Sequence, residues 1–90
     1  MITLKDIEKA HDRIRPFIHR TPILTNSSLN ELSGAELFFK CENFQKAGSF
    51  KIRGATNAVQ LLSKEDLKKG IATTSSGNHG AALSMAVTRR

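Results

Sequence analysis

Hydrophobic residues recur every three or four positions near the start of the chain. Within residues 3–18 the apolar positions share one helical face, formed by Leu4, Ile7, His11, Ile14 and Ile18. This period predicts an amphipathic helix, which Thr3 can cap and which Pro16 should end or kink near Arg15. His11 lies on the apolar face, and the pattern therefore favours a packed core histidine.

The next segment predicts an extended linker, a short strand and a brief helix. Residues 19–22 end in proline, which excludes the preceding residue from helical geometry, and residues 23–24 are apolar. The polar residues 26–28 can cap a helix that continues through Leu32 and ends at Gly34.

The middle of the chain predicts a strand over residues 35–42 and a second amphipathic helix. Ser49 can cap this helix, which should reach about Leu62. Its buried face is expected to contain Ile52, Ala55, Val59 and Leu62.

The remaining pattern predicts a short helix, a strand and a final helix. Ser63 can cap a charged helix that ends at Gly70, residues 71–75 are typical of a strand, and residues 76–80 form a glycine-bracketed loop. A helix should follow from Ala81 onward. Strands that alternate with helices favour a parallel α/β sheet.

Only three candidate strands are present, whereas a parallel sheet needs both of its faces covered. We therefore expect residues 1–90 to be one incomplete, truncated catalytic region without an internal domain boundary. The basic second half, in which lysines alternate with acidic residues over 64–69, is typical of a solvated helix face. With no Trp or Tyr available for stacking, we expect no nucleic-acid partner.

The single cysteine excludes a disulfide-stabilised protein, and the short apolar runs exclude a membrane-spanning one. Cys41 has no second cysteine for a disulfide and no metal-ligand spacing around it, so a packing role in the strand and no metal site are expected. No stretch approaches the ~20 apolar residues of a membrane span. We expect a cytoplasmic protein with no membrane partner.

Lys51 is the first candidate for chemistry. It stands two residues after the predicted cap Ser49 and beside Phe50, in a helix turn whose dipole disfavours an ammonium and favours a neutral amine. A Schiff-base lysine needs a neutral amine. A surface lysine at a helix start is the alternative that position alone leaves open.

The second candidate is the string Ser-Ser-Gly-Asn-His-Gly over residues 75–80, between a predicted strand and a predicted helix. Glycines let the backbone approach a ligand, and free N–H groups at a helix start attract a carboxylate or a phosphate. A plain strand-to-helix connection would explain a Gly-x-x-Gly turn on its own.

Both strings resemble the threonine dehydratase and serine racemase family of pyridoxal-phosphate (PLP) enzymes, which have the tryptophan-synthase-β-like fold (fold type II). The segment Gly48–Ala55 matches the family's cofactor-lysine segment, and residues 75–80 match its substrate-carboxylate loop. Residues 20–22, 38–42 and 57–58 are also similar to this family, so the resemblance covers nearly all of the chain.

The resemblance implies a role for each matching residue. Lys51 would form the aldimine with PLP and then remove the α-proton of the substrate. Phe50 would lie against the cofactor ring, and Asn78 would bind the ring hydroxyl. The substrate carboxylate of L-serine or L-threonine would be surrounded by Ser75, Ser76, Gly77, Asn78 and His79.

The same resemblance leaves two activities open. A dehydratase (ammonia-lyase) would release a 2-oxo acid and ammonia, whereas a serine racemase would use Ser76 as a second acid or base opposite Lys51. The racemase branch also implies an activating ATP and divalent-cation site, for which Ser27, Ser28 and Lys46 lie at comparable positions. The full-length family members imply a homo-oligomer.

The family's glycine-rich phosphate cradle and the residue that faces the pyridine nitrogen are not found in this chain. We therefore expect the ninety residues alone to have little or no turnover. A non-catalytic remnant or interaction fragment is the alternative interpretation.

Overall fold

The structure, a computed structural model, describes all of residues 1–90. It contains five α-helices and two short strands: α1 (Leu4–Ile14), β1 (Ile23–Leu24), α2 (Ser27–Ser33), β2 (Phe39–Lys40), α3 (Lys51–Gln60), α4 (Lys64–Lys68) and α5 (Asn78–Thr88). Single 3₁₀ turns lie at Arg15–Phe17, Glu42–Phe44 and Lys46–Gly48.

The first helix begins and ends where its sequence predicts. The Thr3 hydroxyl accepts from the Asp6 N–H, and the Asp6 carboxylate accepts from the Thr3 N–H at 2.8 Å, which completes a capping box. The hydrogen bond from the Thr3 N–H lowers the pKa of Asp6. At the other end, Pro16 lies in the 3₁₀ turn that replaces the last turn of the predicted helix.

The caps of the two short helices are confirmed as well. The Asn26 side chain accepts from the backbone of α2, and the Ser63 hydroxyl accepts from the backbone of α4. Gly34 and Gly70 follow these helices with φ of +71° and +82°. Glycine suits both positions because other residues adopt this left-handed conformation at a cost.

The strands are shorter and fewer than predicted. Of the strand expected over residues 35–42, only Phe39–Lys40 pairs, with Ile23 opposite Lys40 and Leu24 opposite Phe39. The two strands are antiparallel, and β2 cannot pair over more than two residues because β1 has only two. The half-buried Cys41 follows the strand instead of lying within it.

Residues 71–75 form neither a strand nor a helix, so the strand prediction there is wrong. A strand exists through pairing with a neighbour, and no other segment of this chain pairs with these residues. The last helix begins at Asn78, three residues earlier than predicted. Asn78, His79 and Gly80 therefore belong to its first turn.

The core lies between α3 and α5. It consists of five buried apolar side chains, Ile52, Ala55, Val59, Ala82 and Ala86. Leu62, predicted on the same face, is half-buried. Alanine on α5 lets the two helix backbones approach closely, and the Arg90 guanidinium donates to the Leu62 carbonyl at 3.2 Å. The C-terminal ends of α3 and α5 therefore lie side by side.

The apolar face of α1 is mostly exposed. Ile14 is buried, but Leu4 and Ile7 are 70% and 59% exposed, and His11 is exposed as well. The prediction of a packed core histidine is wrong, because His11 lies on the exposed side of the last turn of α1. In the same turn Ile14 is buried and the Arg13 guanidinium donates to the Asn57 side chain of α3.

The Thr56 hydroxyl is buried on α3 without a hydrogen-bond partner. Because a buried unsatisfied polar group costs about 1–3 kcal/mol, Thr56→Val should raise the free energy of unfolding by about 1 kcal/mol. Urea unfolding followed by circular dichroism measures this change. A variant less stable than the parent would show that the hydroxyl has a partner in solution.

Candidate functional site

Lys51 is the first residue of α3, and its side chain is exposed. Its Nζ lies 5.1 Å from the centre of the Phe50 ring, at the distance of a cation–π contact. Its backbone N–H donates to the Ser49 hydroxyl at 3.4 Å. The amine is therefore accessible to a ligand, and an aromatic surface lies beside it.

Two consecutive left-handed residues direct the chain into α3. Ala47 and Gly48 have φ of 61° and 76°, and Ala47 adopts this conformation although it costs a non-glycine residue about 1–2 kcal/mol. The buried Gln45 fixes the loop, because its amide bonds both the N–H and the carbonyl of His19 at 2.8 Å. Packing of Ala47 against the core offsets part of the backbone cost.

The Ser75 side chain bonds the start of α5, whose N-cap residue is Gly77. Its hydroxyl accepts from the N–H groups of Gly77 at 3.2 Å and Gly80 at 3.1 Å. A Cβ on Gly80 would lie 3.5 Å from the Cβ of Ser75, in ordinary contact. The N–H groups of Asn78 and His79 make no hydrogen bond within the chain.

The two motifs meet at one open cleft of about 310 Å³. We call it the Lys51 cleft, and its lining residues are Phe50, Lys51, Arg53, Gly54, Ala55 and His79. Helices α3 and α5 both begin at this cleft, since Lys51 and His79 belong to their first turns. With their C-terminal ends also adjacent, the two helices run in the same direction, and the positive ends of both dipoles face the cleft.

The other predicted site residues do not line this cleft. Ser75, Ser76, Gly77 and Asn78 directly precede His79 in the chain but do not line the cleft. Ser27 and Ser28 are exposed in the first turn of α2, and the half-buried Lys46 precedes α3. These three residues do not line the Lys51 cleft either.

A hydrogen-bonded network that sequence reasoning missed holds α3 in place. The Glu42 carboxylate accepts from Nε and Nη2 of Arg53, the latter at 3.1 Å, and from the Thr21 hydroxyl at 2.6 Å. It thereby ties the linker, the loop after β2 and α3 together. The only signal in the sequence was that Thr21, Glu42 and Arg53 all fall in segments similar to the family.

The hydrogen bonds from Arg53, assisted by the one from Thr21, lower the pKa of Glu42 to about 2. A lowered pKa in the folded state means that the folded chain binds fewer protons than the unfolded chain. The stabilisation is therefore present above the unfolded value of about 4.5 and is lost as the pH falls toward 2.

We expect the free energy of unfolding to fall by about 1–2 kcal/mol between pH 5 and pH 2 through this group. Glu42→Gln should remove most of that pH dependence, because the amide does not titrate. Urea unfolding at a series of pH values measures the slope of the free energy of unfolding against pH for the parent and for the variant. Equal slopes for parent and variant would exclude Glu42 as the titrating group.

The longest helices have eleven residues, and no helix is long and apolar enough to cross a membrane. No group of three or more His, Cys, Asp and Glu side chains is placed to hold a metal ion.

Comparisons with known proteins agree with the geometry. Residues 14–90 match the family model described as pyridoxal-phosphate dependent enzyme. The chain is 65% identical to serine racemase of Dictyostelium discoideum over 94% of its length, and 59% identical to β-hydroxyaspartate dehydratase of Paracoccus denitrificans over 98%. It superimposes on maize serine racemase with a TM-score of 0.90 and 49% identity, covering 96% of this chain and 27% of that one. The chain spans 26% and 28% of the two curated relatives.

Proposed function

We propose that this chain, which belongs to the family of pyridoxal-phosphate dependent enzymes, holds PLP through Nζ of Lys51 in an enzyme that removes the α-proton of a small hydroxy amino acid. The observation that carries the proposal is the Lys51 cleft, where the accessible amine and the start of α5 lie on the same opening.

The residues present fit the aldehyde end of this cofactor. The Lys51 amine is exposed, the Phe50 ring offers a flat apolar surface, and a Cβ placed on Gly54 would meet no atom within 4 Å. The cleft therefore has open space beside the amine for a planar ring. When bound, PLP supplies delocalisation of the negative charge that develops at the substrate α-carbon.

The chain's own residues would hold the cofactor, transfer the proton and bind the substrate carboxylate. Lys51 would hold the cofactor through Nζ, and the same atom, once free, would accept the α-proton of the substrate. The unpaired N–H groups of Asn78 and His79, at the positive end of α5, are suited to bind the substrate carboxylate. The exposed Phe50 ring beside Nζ would lie against the cofactor ring.

For a dehydratase, the α-proton and the β-hydroxyl leave together as water. Hydrolysis then consumes one water and releases a 2-oxo acid and ammonia, so the atoms balance without an oxidant. L-Serine and L-threonine both carry the required hydroxyl. The 59% identical dehydratase supports this class of reaction for the whole protein.

Serine racemisation is the second candidate, favoured by the 65% identical racemase and by the presence of a serine at position 76. Racemisation needs a second acid or base on the face opposite Lys51, and the Ser76 hydroxyl lies two residues before α5. This second proposal includes activation by ATP and a divalent cation, for which Ser27, Ser28 and Lys46 would form the site.

The two candidates separate in a chimera in which residues 1–90 replace the matching segment of the Dictyostelium enzyme. If Ser76 is the second acid or base, Ser76→Ala should lower D-serine formation from L-serine by about 10²-fold or more while ammonia release persists. Chiral chromatography and an ammonia assay measure the two products. Parallel loss of both products would indicate a binding role, and unchanged racemisation would remove Ser76 from the mechanism.

A further inference from the structure

Gly54 lies inside α3 and lines the Lys51 cleft, although nothing within the chain requires a glycine at this position. A Cβ there would meet no atom within 4 Å, apart from the adjoining backbone of α3. The φ of Gly54 does not lie in the left-handed region, unlike those of Gly34, Gly48 and Gly70. Both the backbone and the packing of the chain would therefore accommodate an alanine.

A glycine in the interior of a helix lowers the stability of the fold, because it loses more backbone freedom on folding than alanine does. At an exposed helix position, the difference from alanine corresponds to about a two- to fivefold lower ratio of folded to unfolded chain. Gly54 is exposed. The chain thus bears this cost at position 54 without a contact of its own that offsets it.

The location of Gly54 relative to Lys51 shows which space the missing side chain leaves free. The two residues are three positions apart in α3, so they lie on the same face of the helix. Side chains of an α-helix lean toward its N-terminus, and a side chain at position 54 would therefore lie over the turn that carries Lys51. Nζ of Lys51 lies beside the Phe50 ring. The surface of α3 next to the amine is thus open and belongs to the Lys51 cleft.

This open surface suits a flat ring. The exposed Phe50 ring offers an aromatic surface beside the amine, and the bare backbone at Gly54 lets a ligand approach the helix closely. A side chain at position 54 would occupy the same space. It would not cover Nζ, because Nζ lies on the Phe50 side of Lys51.

We propose that Gly54 determines the specificity of the Lys51 cleft. The absence of a side chain at this position lets an aldehyde that is carried on an aromatic ring reach Nζ, whereas a larger residue would exclude the ring and leave the amine reactive. This inference rests on the proposed function, in which Lys51 binds PLP, and adds the residue that sets the size of the ligand.

Absorbance titration of the ninety-residue chain with PLP tests the proposal. Gly54→Ala should weaken PLP binding by about threefold and yet raise the ratio of folded to unfolded chain by about two- to fivefold, as urea unfolding would show. Gly54→Leu should weaken PLP binding by about tenfold or more, because leucine fills more of the cleft. Leucine is also a strong helix former, so α3 should persist.

Ser84→Leu is the matched control for the added leucine. Ser84 is exposed in the middle of α5 and does not line the Lys51 cleft. The variant should change the PLP affinity by less than about twofold.

Formaldehyde separates the size of the cleft from the reactivity of the amine. Condensation of the Lys51 amine with either aldehyde releases one water, and borohydride then adds hydride to the C=N bond that forms. Formaldehyde has no ring, so Gly54→Leu should keep its label at Lys51 within about twofold of the parent while the label from PLP falls by about tenfold. Peptide mapping by mass spectrometry measures both labels.

The outcomes distinguish this inference from the proposed function. A parent chain in which PLP does not label Lys51 would overturn both. A parent labelled at Lys51, with a Gly54→Leu variant that binds PLP equally well, would overturn the inference alone.

Three further results would also overturn the inference. Equal weakening by Ser84→Leu would reduce the effect to an added apolar side chain. A parallel loss of the formaldehyde label would place the effect on the amine instead of on the space beside it. A lower stability of Gly54→Ala would show that the glycine serves packing within the chain.

Discussion

Lys51→Ala is expected to weaken the binding of PLP to the chain by about tenfold or more, because it removes the amine that forms the covalent bond. Alanine is a strong helix former, so α3 should remain intact. Absorbance titration in the Schiff-base region measures the affinity, and circular dichroism confirms the helix content.

The chain offers a matched control. Lys64 is the first residue of α4 and is exposed, just as Lys51 is the first residue of α3. Lys64→Ala should leave the PLP affinity unchanged. If both variants lost the same share of binding, the helix-start position alone would explain the reactivity, and the special role of Lys51 would be lost.

Ile52→Ala should have the largest effect on stability. Ile52 is 1% exposed between α3 and α5, and truncation of a buried isoleucine to alanine costs about 2–5 kcal/mol. Only nine of the ninety residues are buried, so such a loss is a large share of the total stability. We expect the variant to be largely unfolded at 25 °C and to lose the Lys51 cleft, as urea unfolding and circular dichroism would show.

Leu61→Ala is the control for this substitution. Leu61 follows α3 directly but is 61% exposed, and its truncation should change the free energy of unfolding by less than about 0.5 kcal/mol. Similar losses at the two positions would contradict the packing of α3 against α5.

The sequence predicted the helices well because their signals are local. Thr3, Asn26 and Ser63 cap the helices that they were expected to cap, and Gly34 ends α2 in the left-handed conformation. A capping residue bonds backbone groups within three or four positions, so its effect needs no distant partner. The predicted family is confirmed by the comparisons, as is an α/β fold of PLP enzymes.

The strands were harder to predict because pairing is not local. Residues 71–75 have the composition of a strand but no pairing partner in this chain. In the strand predicted over residues 35–42, Leu37 donates its N–H to the Asn30 side chain instead of to a neighbouring strand. The prediction for His11 failed for a similar, non-local reason. His11 does lie at a helical spacing from Leu4, Ile7 and Ile14, but the core does not extend to its side of α1.

The candidate site was predicted in part. The Lys51 motif and the loop over residues 75–80 were identified as one site, and the structure brings Lys51 and His79 to one cleft. The bonds of Glu42 to Thr21 and Arg53 could not be predicted, because each partner is at least eleven positions away and no periodicity connects them. The roles of all the predicted site residues stay predictions: Lys51 and Phe50, residues 75–79, and Ser27, Ser28 and Lys46.

The most direct test of the account is to identify which lysine of the chain reacts with PLP. The chain has eight lysines, and reduction with borohydride fixes the cofactor where it is bound, so that peptide mapping by mass spectrometry can locate it. Lys51 is expected to carry most of the label at low PLP concentration. Label spread evenly over the eight lysines, or concentrated at another one, would contradict the assignment of Lys51 as the cofactor lysine.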